Sequence, residues 1–300
     1  MKSSTATGTT ATASVYRGRF APSPTGLLHQ GSLLAALGSW LHARAHRGTW
    51  LVRMEDLDRP RVVAGAADAI LRTLDSLGLV SDEPVLHQSA REDAYAAALS
   101  MLRESGAVYR CTCSRTEQPG LYSGHCRQHP AAPGPAAWRL ALASGAQVEF
   151  DDLLQGHKRF DAATLGDPVV FRRDGLAAYQ LAVVVDDALQ GITHVIRGAD
   201  LLESTAWQIL LYRALGFSCP QFGHLPLVVE PDGSKLSKSR GALAVASWPP
   251  GEALERALRM LGYSTPVGLH RQPVAAILDW ALSGWPPEGL AGRSEIASAT

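Results

Sequence analysis

Arg19-Phe20-Ala21-Pro22-Ser23-Pro24-Thr25-Gly26, running into Leu28-His29-Gln30-Gly31-Ser32, is the stretch from which the rest of the chain can be read. Val15 to Ala21 alternates and then stops at Pro22, which suits a short strand ending in a tight turn. Leu33, Leu34, Leu37, Trp40, Leu41 and Ala45 recur at helical spacing, so a helix begins near His29 to Ser32. Such a strand–turn–helix junction presents free backbone amides and the positive end of the helix dipole to an anion. Gly26 and Gly31 let backbone approach a ligand, and His29 can donate to a phosphate. Taken alone, the stretch could equally be a Pro-rich turn before an ordinary amphipathic helix.

Outward from it, Thr49 to Met54 reads as a second strand, followed by acidic Glu55-Asp56-Leu57-Asp58. Helical patterns follow at 62–78 and 91–105. This strand–helix–strand order predicts an α/β chain with a parallel, Rossmann-like sheet. Leu181 to Asp187 is a continuous apolar run, read as a central strand buried on both faces. Ile192 to Arg197 reads as its neighbour, Leu201 to Leu215 as a crossover helix, and Leu225 to Val229 as a last strand. The expected organisation is a disordered extension over 1–14, the first half of the parallel-sheet fold over 15–110 and a cysteine-bearing insertion over 111–175. The second half then spans 176–248 and a short helical end 249–300, with helical patterns at 251–262 and 273–283. The tail from Pro286 carries no pattern.

At 300 residues and 46% hydrophobic, the chain can bury a full core. Its 28 basic and 28 acidic side chains cancel, which excludes an overall basic field but not a local phosphate-binding patch. No apolar run approaches the roughly 20 residues needed to span a bilayer, so the expectation is a soluble, cytoplasmic protein without a membrane partner. After Met1, residues 2–14 are Ser, Thr, Ala and Gly with a single Lys, lacking the apolar stretch of a signal peptide. Cys111, Cys113 and Cys126 are clustered, which fits metal binding in a reducing cytosol rather than a disulfide framework. Cys219 stands apart and reads as packing.

Far downstream, Lys235-Leu236-Ser237-Lys238-Ser239 follows Pro231-Asp232-Gly233, a strong turn signal. An isolated Lys-x-x-Lys would be a solvated basic turn. Joined to the first motif, it reads as the second half of a site that handles the phosphates of ATP, on a loop that can deliver ammonium groups once substrate is bound. On these two motifs the chain resembles class I aminoacyl-tRNA synthetases of the glutamyl type, with the first in the place of HIGH and the second in the place of KMSKS. Arg197-Gly198-Ala199-Asp200-Leu201-Leu202 to Gln208-Ile209-Leu210-Leu211-Tyr212, then His224-Leu225-Pro226-Leu227, extend the likeness, which covers residues 17 to about 262. Ser32 stands where the family has its final His, and Gln30 where it has Ile.

The resemblance implies activation of a carboxylic acid by attack on the α-phosphorus of ATP, with pyrophosphate leaving. That reaction needs in-line placement and neutralisation of the charge that develops on the phosphate oxygens. It implies His29, Lys235 and Lys238 as catalytic residues, with His29, Gly31, Ser32 and Lys238 on ATP and Mg accompanying the nucleotide. Arg19, Ala21, Ser23, Glu55, Tyr179 and Arg197 fall at the family's amino-acid ligands. Glu55 can pair with an ammonium, and Arg19 and Arg197 can hold carboxylates through bidentate forks. Two arginines and one acid suit glutamate. Glu55 has near arginines in Arg53-Met54-Glu55-Asp56-Leu57-Asp58-Arg59, so a plain ion pair is the competing reading.

Three thiolates from two short segments make most of a closed tetrahedral shell, the pattern of one structural Zn per chain. Generic chemistry would take His125 or His129 as the fourth ligand. The spacing Cys-x-Cys…Tyr-x-x-x-Cys instead resembles the zinc element of the glutamyl-queuosine tRNA(Asp) synthetases, which implies Tyr122. Only about sixty residues follow Ser239, too few for a helical anticodon-binding part. The resemblance therefore implies transfer of L-glutamate to queuosine at the wobble position of tRNA(Asp), with a queuosine-bearing anticodon stem-loop as partner. The rival readings are a truncated glutamyl-tRNA synthetase charging a tRNA 3′ end and a non-catalytic RNA-binding relative.

Overall fold

The computed structural model describes residues 15–114, 121–122, 124–129, 133–229, 244–293 and 295–297. The first part of the chain forms β1 (Arg17–Phe20), α1 (Gln30–Ala45), β2 (Thr49–Met54), α2 (Ala66–Ser76), β3 (Leu86–His87) and α3 (Glu92–Glu104). A middle segment contains β4 (Val108–Cys111), α4 (His125–Gln128), β5 (Ala137–Leu140), β6 (Gln147–Asp152), β7 (Gly156–Asp161), α5 (Ala162–Leu165) and β8 (Val169–Phe171). The last part supplies α6 (Tyr179–Leu189), β9 (His194–Gly198), α7 (Leu202–Leu215), β10 (Gln221–Leu225) and β11 (Leu227–Val229), then α8 (Pro250–Met260), α9 (Val274–Ser283) and β12 (Glu295–Ala297).

β1 pairs with β2, β2 with β3, and β9 with β10, all parallel. β1 and β9 are joined where the Thr193 N–H donates to the Arg17 carbonyl at 2.9 Å and the Arg17 N–H to Thr193 Oγ1 at 2.8 Å. Parallel strands connected through helices put their carboxyl ends on one edge, and ligand crevices form there. β4, β5 and β8 make a separate antiparallel sheet, and β6–β7 an antiparallel hairpin.

Two apolar clusters hold these layers. One gathers Leu33, Leu34, Leu37 and Leu41 of α1 with Trp50, Val52 and Met54 of β2 and residues of α8 and α9. Helix α1 lies so close to β10 that a Cβ added at Gly38 would meet Leu225 Cδ1 at 2.7 Å. The other cluster sets Tyr95, Ala98 and Leu102 of α3 against Leu181–Val185 of α6 and Ile209, Leu211 and Tyr212 of α7. No helix among the described residues is long and apolar enough to cross a membrane.

Three expectations change. Leu181–Asp187 is the body of helix α6, not a central strand. All of its residues from Leu181 to Asp187 are buried, because α3, α7 and β8 pack around it. A helix enclosed on every side is apolar all round, which in so short a run cannot be told from a buried strand by periodicity. Gln221–Leu225 is an additional strand, β10, so the predicted strand 225–229 begins as β11 only at Leu227. The unpatterned tail contributes β12, parallel to β11.

Candidate functional site

A cavity of about 450 Å³ opens at the carboxyl ends of β1, β2 and β9 and at the N-terminus of α1. Arg19, Ala21, Ser23, His29, Gly31, Ser32, Glu55, Tyr179 and Arg197 all line it. Lys235 and Lys238 lie outside the described residues. The chain on either side of them adjoins the site, since Val228 lines the cavity and Ala244 forms a bridge with His29.

The turn after β1 works as its sequence suggests. Gly26 has φ 140°, a conformation that L side chains rarely adopt. His29 caps α1: its Nδ1 accepts from the Ser32 N–H at 3.4 Å and its Nε2 lies 3.0 Å from Ser32 Oγ. The Glu55 N–H donates to the Pro22 carbonyl at 2.9 Å, so the residue that follows β2 is tied to the turn that follows β1.

Beneath the cavity lies a buried charge network centred on two residues the sequence reading did not single out, Arg53 and Asp187. Arg19 sends Nε and Nη2 to the two oxygens of Asp187 at 3.1 Å each. Arg53 Nη1 reaches Asp187 Oδ1 at 2.8 Å and Gln190 Oε1 at 2.9 Å. Neighbouring Asp186 accepts from Tyr95 at 2.7 Å, Gln88 at 2.9 Å and Arg91 at 3.1 Å. Burial works to raise the Asp187 carboxyl, but Arg19 and Arg53 outweigh it and hold the group below its ordinary value. In a strand, Asp186 and Asp187 would point to opposite faces; on α6 they diverge by about a quarter turn and serve two adjoining networks. The signal in the sequence was an apolar run ending in two acids, a costly place for charge unless it is paired.

Glu55 is different. Its side chain is 8% exposed, Arg53 Nη2 is 3.7 Å away, and its Oε1 makes no hydrogen bond. Burial pushes its carboxyl from 4.5 up to about 7, against the pull of Arg53 and Arg19. A carboxylate this poorly compensated is poised to receive a cation.

Arg197 is 5% exposed and anchored on three sides. Its Nε donates to His224 Nε2 at 3.2 Å, and its Nη2 to Thr205 Oγ1 at 2.7 Å and Gln208 Oε1 at 2.8 Å. Its Nη1 is buried without a partner. Burial also lowers the guanidinium from its ordinary value. The bidentate forks expected of Arg19 and Arg197 are thus turned inward to the protein. Arg197 lines the cavity and keeps a single unsatisfied nitrogen, and a buried donor left unpaired carries a cost of about 1–3 kcal/mol that an acceptor would relieve.

A second cavity of about 840 Å³ shares Ser23, Glu55, Arg61 and Tyr179 with the first and extends past Arg139, Arg172 and Arg173 to Cys113. There, the sulfur atoms of Cys111, Cys113 and Cys126 lie within 4.8 Å of one another, a set that could hold a metal ion. Tyr122 joins them: its hydroxyl oxygen is 3.4 Å from Cys111 Sγ and accepts the Cys126 N–H at 2.9 Å. Cys113 and Cys126 are 3.3 Å apart. His125 and His129 stack on each other with centroids 4.7 Å apart and are not part of that group.

The tRNA synthetases class I (E and Q) catalytic domain matches residues 15–268. A glutamyl-Q tRNA(Asp) synthetase of Dechloromonas aromatica is 50% identical, the alignment covering 94% of this chain and 98% of that protein. One from Pseudomonas putida is 48% identical over 97% of this chain and 98% of its own length. A glutamate tRNA ligase from Elizabethkingia meningosepticum, solved in complex with its amino acid, superposes with a TM-score of 0.81 at 26% identity. That match covers 95% of this chain and 67% of the other.

Proposed function

The chain belongs to the class I tRNA synthetases of the E and Q group, and from that premise we propose that it activates L-glutamate with ATP and transfers it to queuosine at the wobble position of tRNA(Asp). The observation that carries the amino-acid reading is complementarity in one cavity. Arg197 leaves Nη1 and Glu55 leaves Oε1 buried without a hydrogen bond, and Arg19 lines the same space. Glutamate brings two carboxylates for the arginines and an ammonium for Glu55. A neutral amino acid would leave Arg197 Nη1 buried without an acceptor, and such sites reject analogues that lack the matching group.

In the first step the α-carboxylate attacks the α-phosphorus and pyrophosphate leaves. His29, Gly31 and Ser32 at the start of α1 would receive the nucleotide phosphates, which reach the enzyme with Mg. Lys235 and Lys238 would neutralise the charge that develops. In the second step a hydroxyl of the queuosine cyclopentenediol attacks the acyl carbon and AMP leaves. The cavity that continues past Tyr179, with Arg61, Arg172 and Arg173 along it, suits an incoming polyanion. Zinc, held by Cys111, Cys113 and Cys126 with Tyr122, would tie the segment beside that cavity together and takes no part in the chemistry. The acceptor assignment draws on relatives about 50% identical over nearly their whole length.

The test is glutamate transfer to tRNA(Asp) with and without queuosine, and to an isolated queuosine-bearing anticodon stem-loop. Transfer should require the modified base and survive removal of the terminal CCA. Equal charging of unmodified tRNA(Glu) at its 3′ end would replace this reading with a glutamyl-tRNA synthetase; no glutamate-dependent pyrophosphate exchange would indicate a non-catalytic relative.

A further inference from the structure

Arg197 makes its Nε contact to His224, and His224 is in turn held by Asp152. Asp152 ends β6 in the middle segment, 72 residues before His224. Parallel pairing of β9 with β10 sets Arg197 and His224 at the same level. All three are buried: Asp152 is 4%, His224 0% and Arg197 5% exposed.

The Asp152 carboxylate is fully engaged. Oδ1 accepts the backbone N–H groups of His224 at 3.0 Å, Leu154 at 3.0 Å and Gln155 at 2.9 Å. Oδ2 accepts from His224 Nδ1 at 2.5 Å. This geometry dictates the tautomer. With Nδ1–H given to Asp152, His224 Nε2 is a bare lone pair aimed at the Arg197 Nε–H, 3.2 Å away. Thr205 Oγ1 lies 3.0 Å from the same Nε2, so the tautomer is fixed at the other nitrogen, where the ionised Asp152 carboxylate can only accept and Nδ1 must carry the proton. Burial lowers the ring from its ordinary value despite the neighbouring carboxylate, which favours the neutral form. Thr205 completes the arrangement: its Oγ1 accepts from Arg197 Nη2 at 2.7 Å and can give its one proton to the Leu201 carbonyl at 3.1 Å or to His224 Nε2 at 3.0 Å.

We propose that Asp152 and His224 are positioning residues: they fix the imidazole tautomer that holds Arg197 with its Nη1 facing the amino acid, and so couple the middle segment to substrate selection. The proposal rests on the reading above that Arg197 contacts the amino acid. Buried partners that orient a ligating group commonly change affinity by about 10–100-fold when removed.

The experiment measures glutamate and ATP KM and kcat by glutamate-dependent pyrophosphate exchange for Asp152→Asn, His224→Gln, His224→Phe, Arg197→Ala and the double variant Asp152→Asn/Arg197→Ala. An amide at 152 can keep its backbone contacts through the carbonyl oxygen and turn its NH2 toward Nδ1, which forces the opposing tautomer. Asp152→Asn should therefore raise glutamate KM about 10- to 100-fold, with ATP KM within about twofold of wild type. His224→Gln restores a donor and an acceptor on one side chain and should recover part of that loss relative to His224→Phe. In the Arg197→Ala background, Asp152→Asn should add little, because both act through one contact. Additive effects, or an unchanged glutamate KM in folded Asp152→Asn protein while Arg197→Ala raises it, would overturn the positioning role. If Asp152→Asn fails to fold, the comparison of His224→Gln with His224→Phe carries the same decision. An unchanged glutamate KM in Arg197→Ala marks a different failure, that of the underlying site reading.

Discussion

Glu55→Gln should make the substrate-free protein more stable while disabling it. The Glu55 carboxyl is buried, has an oxygen without a hydrogen bond, and is pushed by burial from 4.5 up to about 7. A tenfold change in proton affinity is about 1.4 kcal/mol, so ionising this group in the folded protein costs about 3 kcal/mol more than in the unfolded chain. The pH window follows from the sign. Below pH 4.5 the carboxyl is protonated in both states and the cost is absent. It grows as pH rises and is complete once the folded-state group has ionised, above about 7. Replacement by a neutral isostere removes that cost. Glu55→Gln should therefore match wild type near pH 4.5 and exceed it by about 3 kcal/mol at pH 8 to 8.5, several degrees in melting temperature. Urea unfolding across this range without substrates measures it. Glutamate should stabilise wild type at pH 8, since its ammonium compensates the carboxylate, and should not stabilise the variant. A stability difference that is flat with pH, or a variant less stable at pH 8, would refute the argument that Glu55 is a strained, cation-seeking group.

Asp187→Asn removes the carboxylate shared by Arg19 and Arg53 and should destabilise the fold by about 3–5 kcal/mol, the usual cost of stranding buried charge; a loss below about 1 kcal/mol in urea unfolding would contradict the network. Arg197→Lys should raise glutamate KM by roughly 1.5–3 kcal/mol equivalent, because one ammonium cannot serve His224, Thr205, Gln208 and a ligand together; an unchanged KM would remove Arg197 from the pocket. Cys111→Ser should lower bound metal, read by elemental analysis, and leave pyrophosphate exchange largely intact. If metal content survives Tyr122→Phe but falls in His125→Ala, the fourth ligand is the histidine. Lys238→Ala should slow pyrophosphate exchange by about 10²–10³ with glutamate binding retained; near wild-type exchange would sink the role given to that lysine.

What the sequence by itself determined lies where local rules act. The β1 strand, its Pro–Gly turn and α1 were legible because the alternation, the chain stop at Pro22 and the helical spacing after His29 all operate within a few residues. β2 was bounded by the same kind of signal. The residues Arg19, Ser23, Glu55, Tyr179 and Arg197 could be gathered into one set by resemblance, and they line one cavity. Tertiary structure decided the rest. Leu181–Asp187 satisfies a buried strand and a buried helix equally well, and only the packing of α3, α7 and β8 around it makes it a helix. That choice turns Asp187 toward Arg19 and Arg53. The inward use of both arginine forks, and the Asp152–His224 support of Arg197, could not be read from the chain. They depend on buried charges and donors being satisfied by whatever partners the topology brings to the carboxyl ends of the strands, and those partners lie up to 168 residues apart in sequence.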